Sequence, residues 1–356
     1  MQTPSRAQAS PLLAFPGAVP ADAEGPDAGV AAHYGDPFAE QRSAVRGLGL
    51  FDRSHRGVIR VAGQDRLSWL HSLSTADLEK LPAGETAEAL ILSPNGHVEH
   101  HLTVADDGTS LWAHVEPREA GPLLEFLESM RFMLRVEPAD VTEDFAVLTL
   151  MGPDAQASLA GVAAVTTMHA FGTDLIVGRG QLSDVAAQLR ARGAVMAGMW
   201  AHEALRIAAR RPRFGLDTDH RTIPHEVGWI GTAVHLSKGC YRGQETVARV
   251  HNLGHPPRRL VFLHLDGSEE RLPACGDPVT LGGEGGAGTV GFVGSAARHH
   301  ELGPIALALV KRTVPVDAAL LAAGIPASQE VIVPPDAGAN VTISLRRPKT
   351  DLDRPR

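Results

Sequence analysis

The most informative segment of this 356-residue chain is a short run around a cysteine that has a glycine on either side. It reads Lys238-Gly239-Cys240-Tyr241-Arg242-Gly243-Gln244-Glu245-Thr246-Val247-Ala248-Arg249. Val234 to Leu236 predict a short strand that leads into the segment. The spacing of Val247 and Val250 predicts a helix from Gln244 onward. Cys240 is therefore expected in a tight turn just ahead of a helix N-terminus.

The thiol of Cys240 is the candidate reactive group. Lys238 and Arg242 flank it with positive charge, and both a nearby cation and the positive end of a helix dipole favour a thiolate. Gly239 and Gly243 let the backbone approach a ligand closely, because they carry no side chain. A small buried cysteine is the alternative. The polar, glycine-rich surroundings favour a functional thiol instead.

The chain before this segment alternates short apolar runs with helical patterns. The runs that predict strands include residues 58–61, 89–92, 102–104, 111–115 and 145–150. Asn95-Gly96 and Asp107-Gly108 favour tight turns, so an antiparallel sheet built from hairpins is expected around them. Apolar residues at helical spacing predict helices in residues 65–73 and 123–130. Strand–helix–strand units of this kind predict an α+β fold.

The chain after residue 256 has a different character, with short apolar runs joined by glycine-rich turns. This pattern predicts a small β-barrel. The expected strands are residues 258–265, 278–281, 289–293, 305–311, 330–333 and 340–345. The first 30 residues are rich in Ala, Pro and Gly without periodicity, which predicts a disordered tail. The expected domains are a tail at 1–30, two α+β subdomains at 31–256, a barrel at 257–347 and a frayed end at 348–356.

Composition narrows the class of function. The formal net charge is -8, which argues against bulk binding of nucleic acid or of an anionic membrane surface. No apolar stretch approaches the roughly 20 residues of a membrane-spanning helix, so a cytoplasmic protein is expected. The two cysteines, Cys240 and Cys275, cannot form a disulfide framework. They also cannot supply the four ligands of a zinc ion or a protein-bound iron–sulfur cluster. Cys275 is expected to be an ordinary, unreactive residue.

Residues 238–245 resemble the signature of the YgfZ family, K-G-C-Y-x-G-Q-E. Weaker matches occur in the same order along the chain. His33-Tyr34-Gly35-Asp36-Pro37 and Gly49-Leu50-Phe51-Asp52 resemble the opening of relatives of the glycine-cleavage T-protein. The approach to the signature is similar at residues 205–208, 212–215 and 223–226. The resemblance covers about residues 33 to 346, which is most of the chain.

This resemblance implies three small domains in a ring around a central folate-binding hole, with a C-terminal β-barrel. It also implies a folate-binding monomer that assists assembly or repair of iron–sulfur proteins under oxidative stress, without conventional enzymatic turnover. Its clients would include the radical enzymes that thiolate tRNA, and its cofactor would be tetrahydrofolate. Catalytic roles fall on Cys240 and Lys238. Cofactor contacts fall on Glu226, Arg206, His101, Tyr241, Gly239, Gly243, Gln244 and Glu245.

The chain departs from the aminomethyltransferases of this superfamily at one position. Those proteins carry a catalytic aspartate in a segment resembling G-G-I-x-D-D-L. The corresponding residues 94–102 here place His100 and His101 at the paired aspartates. A carboxylate holds a cationic amine or a reduced folate nitrogen through its charge, which imidazole does less well. Tetrahydrofolate-dependent aminomethyl transfer is therefore the alternative function.

Other interpretations of these residues stay open. On a strand, His97, Glu99 and His101 would point to one face and could ligate a metal ion; a solvated polar face is the simpler explanation. Glu226 suits the 2-amino-pyrimidine edge of a pterin, but a surface glutamate ahead of a turn would look the same. Arg206 could reach a pocket or extend along a helix face. A third hypothesis is a folate-responsive interaction module in which Cys240 only packs.

Overall fold

The computed structural model describes residues 9–268, 270–282 and 288–339. The helices within these ranges are α1 (Pro37–Arg46), α2 (Arg66–Leu73), α3 (Ala120–Ser129), α4 (Leu182–Ala191), α5 (Met199–Ala208) and α6 (Gln244–Leu253). The strands up to residue 151 are β1 (Val19–Pro20), β2 (Ala31–His33), β3 (Gly49–Asp52), β4 (Gly57–Ala62), β5 (Thr86–Leu92), β6 (Val98–Asp106), β7 (Ser110–Val115), β8 (Glu137–Asp140) and β9 (Phe145–Met151). The later strands are β10 (Val165–His169), β11 (Gly172–Gly178), β12 (Val195–Ala197), β13 (Arg258–Leu265), β14 (Pro278–Leu281), β15 (Thr289–His299), β16 (Gly303–Lys311), β17 (Leu320–Ala322) and β18 (Ile325–Val331).

One five-stranded sheet has the order β10-β11-β9-β3-β12. Its strands pair antiparallel except β12, which lies parallel to β3. Leu50, Leu148 and Leu175 on this sheet are fully buried and pack in one core with Leu182 and Leu189 of α4. Helix α4 ends at Ala191, and Gly193 just after it adopts a left-handed backbone with φ of 97°. Its N-cap is Gln181.

A second five-stranded sheet has the order β5-β6-β7-β4-β8 and is antiparallel throughout. The predicted turns join its hairpins. Gly96 and Gly108 have φ of 79° and 91°, a conformation that glycine adopts at no steric cost. Helices α2 and α3 cover this sheet, and both predicted amphipathic patterns bury their apolar side in its core.

The C-terminal strands form a closed barrel in the order β13-β16-β15-β14-β17-β18. The predicted α+β fold with a C-terminal barrel is confirmed. Several strands differ from their predicted bounds: β15 continues to His299, β17 was not predicted, and β18 begins at Ile325 rather than at residue 330. The predicted strand at 340–345 and the predicted frayed end at 348–356 lie outside the described residues.

The N-terminal residues correct the prediction of a disordered tail over residues 1–30. From residue 9 onward they are ordered, with a 3-10 helix at Pro11–Ala14 capped by the Ser10 side chain. Leu12 is fully buried in the core of the first sheet, and β1 pairs with β2. Two buried apolar side chains, Leu12 and Val30, together with ion pairs of Asp27, hold a segment that has no periodic pattern, so composition alone could not reveal its order. No helix in the described part of the chain is long and apolar enough to span a lipid bilayer.

Candidate functional site

The candidate thiol lies on an exposed loop, residues 238–243, which we call the thiol loop. Cys240 is exposed and forms no disulfide. Helix α6 begins at Gln244, as predicted, directly after Gly243 in a left-handed conformation with φ of 82°. The predicted strand at residues 234–236 is absent. Val234 forms only an isolated bridge with Ile230 among the described residues.

Lys238 anchors the thiol loop to the backbone around the end of α2. Its Nζ donates hydrogen bonds to the carbonyl oxygens of Ser74 at 2.6 Å, Ala76 at 2.9 Å and His71. Burial lowers the pKa of Lys238 to about 8, while the three carbonyl oxygens stabilise its ammonium form. The sequence suggested a cation that activates the thiol. The structure shows this ammonium bonded to backbone at the end of α2 and just after it, so Lys238 acts as a clamp; its effect on the thiol stays a prediction.

Arg242, the second cation in the thiol loop, also has side-chain partners. Its Nη1 donates to Glu99 Oε2 at 2.7 Å, and its guanidinium lies 5.4 Å from the centre of the Phe126 ring. Gly243 packs so closely that a Cβ there would lie 2.6 Å from the Ser93 carbonyl oxygen. The loop is thus held against the β5–β6 hairpin and α3 by contacts on both sides of Cys240.

The remaining signature residues support the loop rather than a pocket. Tyr241 is buried in a core that also contains Trp229 and Val247. The Gln244 side chain makes one long contact, 3.5 Å, with the Gly239 carbonyl oxygen. Glu245 is exposed and pairs with Arg249 at 2.8 Å, one helical turn later. These positions, predicted as cofactor contacts, do not line the cavity described next.

A buried polar cavity of about 70 Å³ lies between the two five-stranded sheets and α5. We call it the central cavity. The two predicted site residues that line it are Arg206 and His101. Several lining residues were not predicted, among them Arg53, His55, His114, Glu116, Asp174, His202 and Arg213.

Asp174 organises one side of the central cavity. Its carboxylate contacts Arg53 Nη1 at 3.3 Å, His114 Nε2 at 2.8 Å and His169 Nε2 at 3.2 Å. Burial opposes ionisation, but these three neighbours hold the pKa of Asp174 well below its usual range. Burial lowers the pKa of His114 to about 4, so its imidazole is neutral at physiological pH.

Arg206 organises a second side, from α5. Its guanidinium contacts Glu203 at 2.7 Å and Asp217 at 2.9 Å, and it donates to Ser295 Oγ at 2.8 Å in the barrel. The predicted site residue therefore does reach the cavity, in a fully paired state. His202, beside Glu203 at 3.3 Å, has a pKa that burial lowers to about 4.

His101 forms a third side. Its ring stacks on Trp229, with centroids 4.8 Å apart and an interplanar angle of 16°. Its Nε2 lies 3.7 Å from Glu88, which also pairs with Arg211. Burial opposes ionisation of Glu88, but His101 and Arg211 hold its pKa at about 2. The imidazole of His101 thus already has a carboxylate neighbour.

Glu226 does not line this cavity. It is fully buried, and its Oε1 and Oε2 each accept a hydrogen bond from Arg258 at 2.8 Å. Oε2 also accepts from the backbone N–H of Ile223 at 3.1 Å. A pterin contact at Glu226 would first require the Arg258 pair to open, so the predicted contact gains no support from this position.

The suggested metal-ligand trio is divided between different neighbours. Glu99 pairs with Arg242, and His101 lies beside Glu88 and Trp229. His97 precedes β6 and lies in the turn. Within the described residues, no group of three or more His, Cys, Asp or Glu side chains has an arrangement that could hold a metal ion.

The unpredicted cavity residues left a signal in the sequence. His114 interrupts the apolar run of β7, and Asp174 interrupts that of β11; both are buried. A polar side chain inside a buried strand needs a polar partner. The sequence of neither strand could reveal that partner, because Asp174 and His114 belong to different sheets and lie 60 residues apart.

Comparison with known proteins assigns the fold. Residues 36–176 match the family model of the GCVT N-terminal domain. The crystal structure of glycine cleavage system aminomethyltransferase T from Bartonella henselae superposes with a TM-score of 0.69 at 19% identity. The superposition covers 83% of this chain and 87% of that one. The chain has the GcvT-like fold.

Sequence relatives of this GcvT-like chain are named as transferases. An aminomethyltransferase of Symbiobacterium thermophilum is 27% identical over 288 residues, 70% of this chain and 76% of that protein. One from Thermotoga petrophila is 27% identical over 323 residues, 80% of this chain and 84% of that protein. A chloroplastic transferase-like protein of Arabidopsis thaliana is 26% identical over 67% of this chain, a match that spans only 60% of the Arabidopsis protein. A shared GcvT-like fold does not by itself transfer an activity.

Proposed function

We propose that this chain is a folate-binding maintenance factor of the YgfZ type, which assists assembly or repair of iron–sulfur proteins through Cys240. The observation that carries the proposal is the thiol loop, in which an exposed cysteine lies between two fixed points. These are the clamp of Lys238 on three carbonyl oxygens and the tight packing of Gly243. A solvent-facing thiol on a fixed loop can reach a group on a second protein without local unfolding. Radical enzymes that thiolate tRNA are among the expected clients.

The charges of the central cavity favour folate binding over amine transfer. Its lining carboxylates are Glu88, Glu116 and Asp174, and each contacts an arginine. A cationic amine needs a carboxylate that is free to pair with it. Among the described lining residues, no carboxylate is left in that state.

The donor set of the cavity suits tetrahydrofolate. Two buried imidazole nitrogens, Nδ1 of His55 and Nε2 of His202, have no hydrogen-bond partner in the described structure and could bond polar edges of a pterin. The side chains of His169 and Phe171 stack at 18° and offer an aromatic wall. When bound, tetrahydrofolate would supply nitrogen atoms able to carry a one-carbon unit.

The proposal is tested in cells that lack this protein, under mild oxidative stress. The activity of iron–sulfur enzymes is measured after rescue with wild type, Cys240→Ala or Cys275→Ala. Cys275 is the matched control because it is also an exposed, free cysteine. We expect wild type and Cys275→Ala to restore activity and Cys240→Ala, at equal protein level, to fail.

Two outcomes would contradict the proposal. Equal rescue by all three proteins would make Cys240 a structural residue and leave any function to the cavity. Failure of wild type to rescue would reject a role in iron–sulfur maintenance.

Aminomethyl transfer is the second candidate, and the names of the aminomethyltransferase relatives favour it. It predicts turnover when purified protein is mixed with tetrahydrofolate and an aminomethyl donor, with formation of methylenetetrahydrofolate. Turnover that survives Cys240→Ala would support this candidate over the first. Absence of turnover under these conditions would reject it.

A further inference from the structure

Asp27, in the ordered N-terminal segment, contacts two residues that line the central cavity. We propose that residues 15–30 form a displaceable strap, and that Asp27 occupies a carboxylate-binding subsite built by Arg213 and His55. An anionic ligand takes the subsite by replacing the Asp27 carboxylate. This inference rests on the proposed folate-binding function, since it assigns the place of the glutamate tail of folate.

The subsite has two buried donors that converge on one oxygen atom. Arg213 Nη2 lies 2.8 Å from Asp27 Oδ1, and His55 Nε2 lies 3.1 Å from the same oxygen. The side chains of Arg213 and His55 are only 6% and 1% exposed. Leaving a buried donor without an acceptor costs free energy. When Asp27 moves away, binding of another carboxylate in its place is therefore favoured.

Arg213 is held in place by other contacts, so the subsite does not depend on Asp27 for its shape. Its Nε donates to Glu116 at 2.8 Å, and its Nη1 lies 3.4 Å from Glu203. Glu116 is itself paired with Arg56. These contacts orient the guanidinium and leave Nη2 directed at Asp27. A preformed donor loses little entropy when a ligand binds.

The two ends of the strap are packed, because Val30 is fully buried and Phe15 packs against the core of the first sheet. The part between them is held by few contacts. Its strand β1 pairs over two residues with β2, and the backbone N–H of Ala21 bonds the Val30 carbonyl oxygen at 2.9 Å. From Val19 to Gly29 no described side chain is fully buried. Segments with few buried contacts open locally at low free-energy cost. The ion pair of Asp27 is therefore a main tie between the strap and the cavity.

The size of the cavity gives an independent reason for the strap to move. About 70 Å³ is well below the roughly 300–1,000 Å³ of pockets that hold drug-sized ligands. A folate-sized molecule needs more room than this volume. Displacement of Asp27 provides both an opening and a partner for the ligand carboxylate. Because the strap and the ligand compete, apparent affinity rises with the fraction of open strap.

The test measures binding by calorimetry to wild type, Asp27→Ala and the control Asp22→Ala, which removes an exposed carboxylate from the same strap. The probes are p-aminobenzoylglutamate, the anionic tail of folate, and tetrahydropterin, which has no carboxylate. We expect Asp27→Ala to bind p-aminobenzoylglutamate at least about tenfold more tightly than wild type and Asp22→Ala. Tetrahydropterin should gain less from Asp27→Ala, because it has no carboxylate to take the place of Asp27.

Equal or weaker binding of p-aminobenzoylglutamate to Asp27→Ala would overturn the subsite. If Asp27→Ala gains affinity for this probe while no variant binds tetrahydrofolate, the subsite stands and the folate function fails. If tetrahydrofolate binds but Asp27→Ala gains no affinity for the probe, the folate function stands and the subsite is rejected. Should Asp27→Ala not fold, hydrogen exchange of wild type decides. Saturating p-aminobenzoylglutamate should speed exchange of the amides in residues 17–29, and no change would overturn the proposal.

Discussion

Glu99 and His101 stand two residues apart on β6 and serve two different regions of the molecule. Glu99 pairs with Arg242 of the thiol loop at 2.7 Å, and His101 lines the central cavity. One strand therefore positions both candidate functional groups. β6 pairs with β5 at His101, with a register shift between Ile91 and Leu92 beside Glu99, and it pairs with β7 from Thr103 onward. The sheet thus holds the strand that carries both groups.

Gly243→Ala should disturb the thiol loop, whereas Gly239→Ala should not. A Cβ at Gly243 would lie 2.6 Å from the Ser93 carbonyl oxygen, and the backbone there has φ of 82°. At Gly239 a Cβ meets nothing within 4 Å. We expect Gly243→Ala to lower the free energy of unfolding by about 1–3 kcal/mol and to alter the rate at which Cys240 reacts with a disulfide reagent. Urea denaturation and thiol titration measure both, and equal behaviour of the two variants would refute the tight-packing explanation.

Lys238→Met should destabilise the loop by removing the donor shared by three carbonyl oxygens. The expected loss in the free energy of unfolding is about 1–3 kcal/mol, together with faster hydrogen exchange in residues 238–243. Lys311→Met is the control, because Lys311 is exposed and its Nζ bonds a single carbonyl oxygen, that of Thr289, at 3.1 Å. If the two lysine variants lose the same stability, Lys238 is not a clamp.

Acid should destabilise the protein through its buried histidines. Burial lowers the pKa of His202 to about 4, from 6.5 in the unfolded chain. Below pH 6.5 the unfolded state binds a proton that the native state does not. The contribution of His202 to the free energy of unfolding is therefore complete above pH 6.5 and is lost as the pH drops towards 4. His202 alone accounts for a loss of about 3 kcal/mol, and His114 acts in the same direction.

Urea denaturation at several pH values between 7.5 and 4.5 tests this dependence. His202→Gln should flatten the curve, since glutamine does not titrate. His220→Gln, at an exposed position, should leave the wild-type slope unchanged. A slope that is the same in all three proteins would place the acid sensitivity elsewhere.

His101→Asp should be poorly tolerated, although the sequence resemblance predicts an aspartate at this position in aminomethyltransferases. The new carboxylate would lie beside Glu88, whose Oε2 is 3.7 Å from His101 Nε2. An aspartate is shorter than a histidine, so the two carboxylates would lie farther apart than this, but like charges within about 6 Å still disfavour ionisation of both groups. We expect His101→Asp to unfold at lower urea concentration than His101→Asn above pH 5. Equal midpoints would show that Glu88 does not sense the charge at position 101.

Local features of this fold were predictable from sequence. The hairpin turns at Asn95-Gly96 and Asp107-Gly108 and the start of α6 at Gln244 follow from short-range patterns, and the structure confirms them. The barrel was predictable in class, but β17 is only three residues long and left no periodic signal. The prediction of disorder was wrong for residues 9–30, because their order depends on where Leu12 packs in the folded protein.

The candidate site was predictable only in part. Arg206 and His101 do line the cavity, but the ion pairs around them join residues from distant parts of the chain. Arg213, for example, bonds Asp27 across 186 residues. No local pattern encodes such a pair. The same holds for Lys238 and Arg242. In the sequence nothing marks their partners, which are the Ser74 carbonyl oxygen and the Glu99 carboxylate.

The Lys238 clamp also has a consequence for the folding pathway. Its three bonds connect positions 162, 164 and 167 residues apart in the chain. Contacts between distant residues require closure of a long loop and form late, once both partner regions have acquired structure. Cys240 therefore reaches its native setting only near the end of folding. A partner that recognises the thiol loop in this shape would select completed molecules and pass over nascent or partly folded chains.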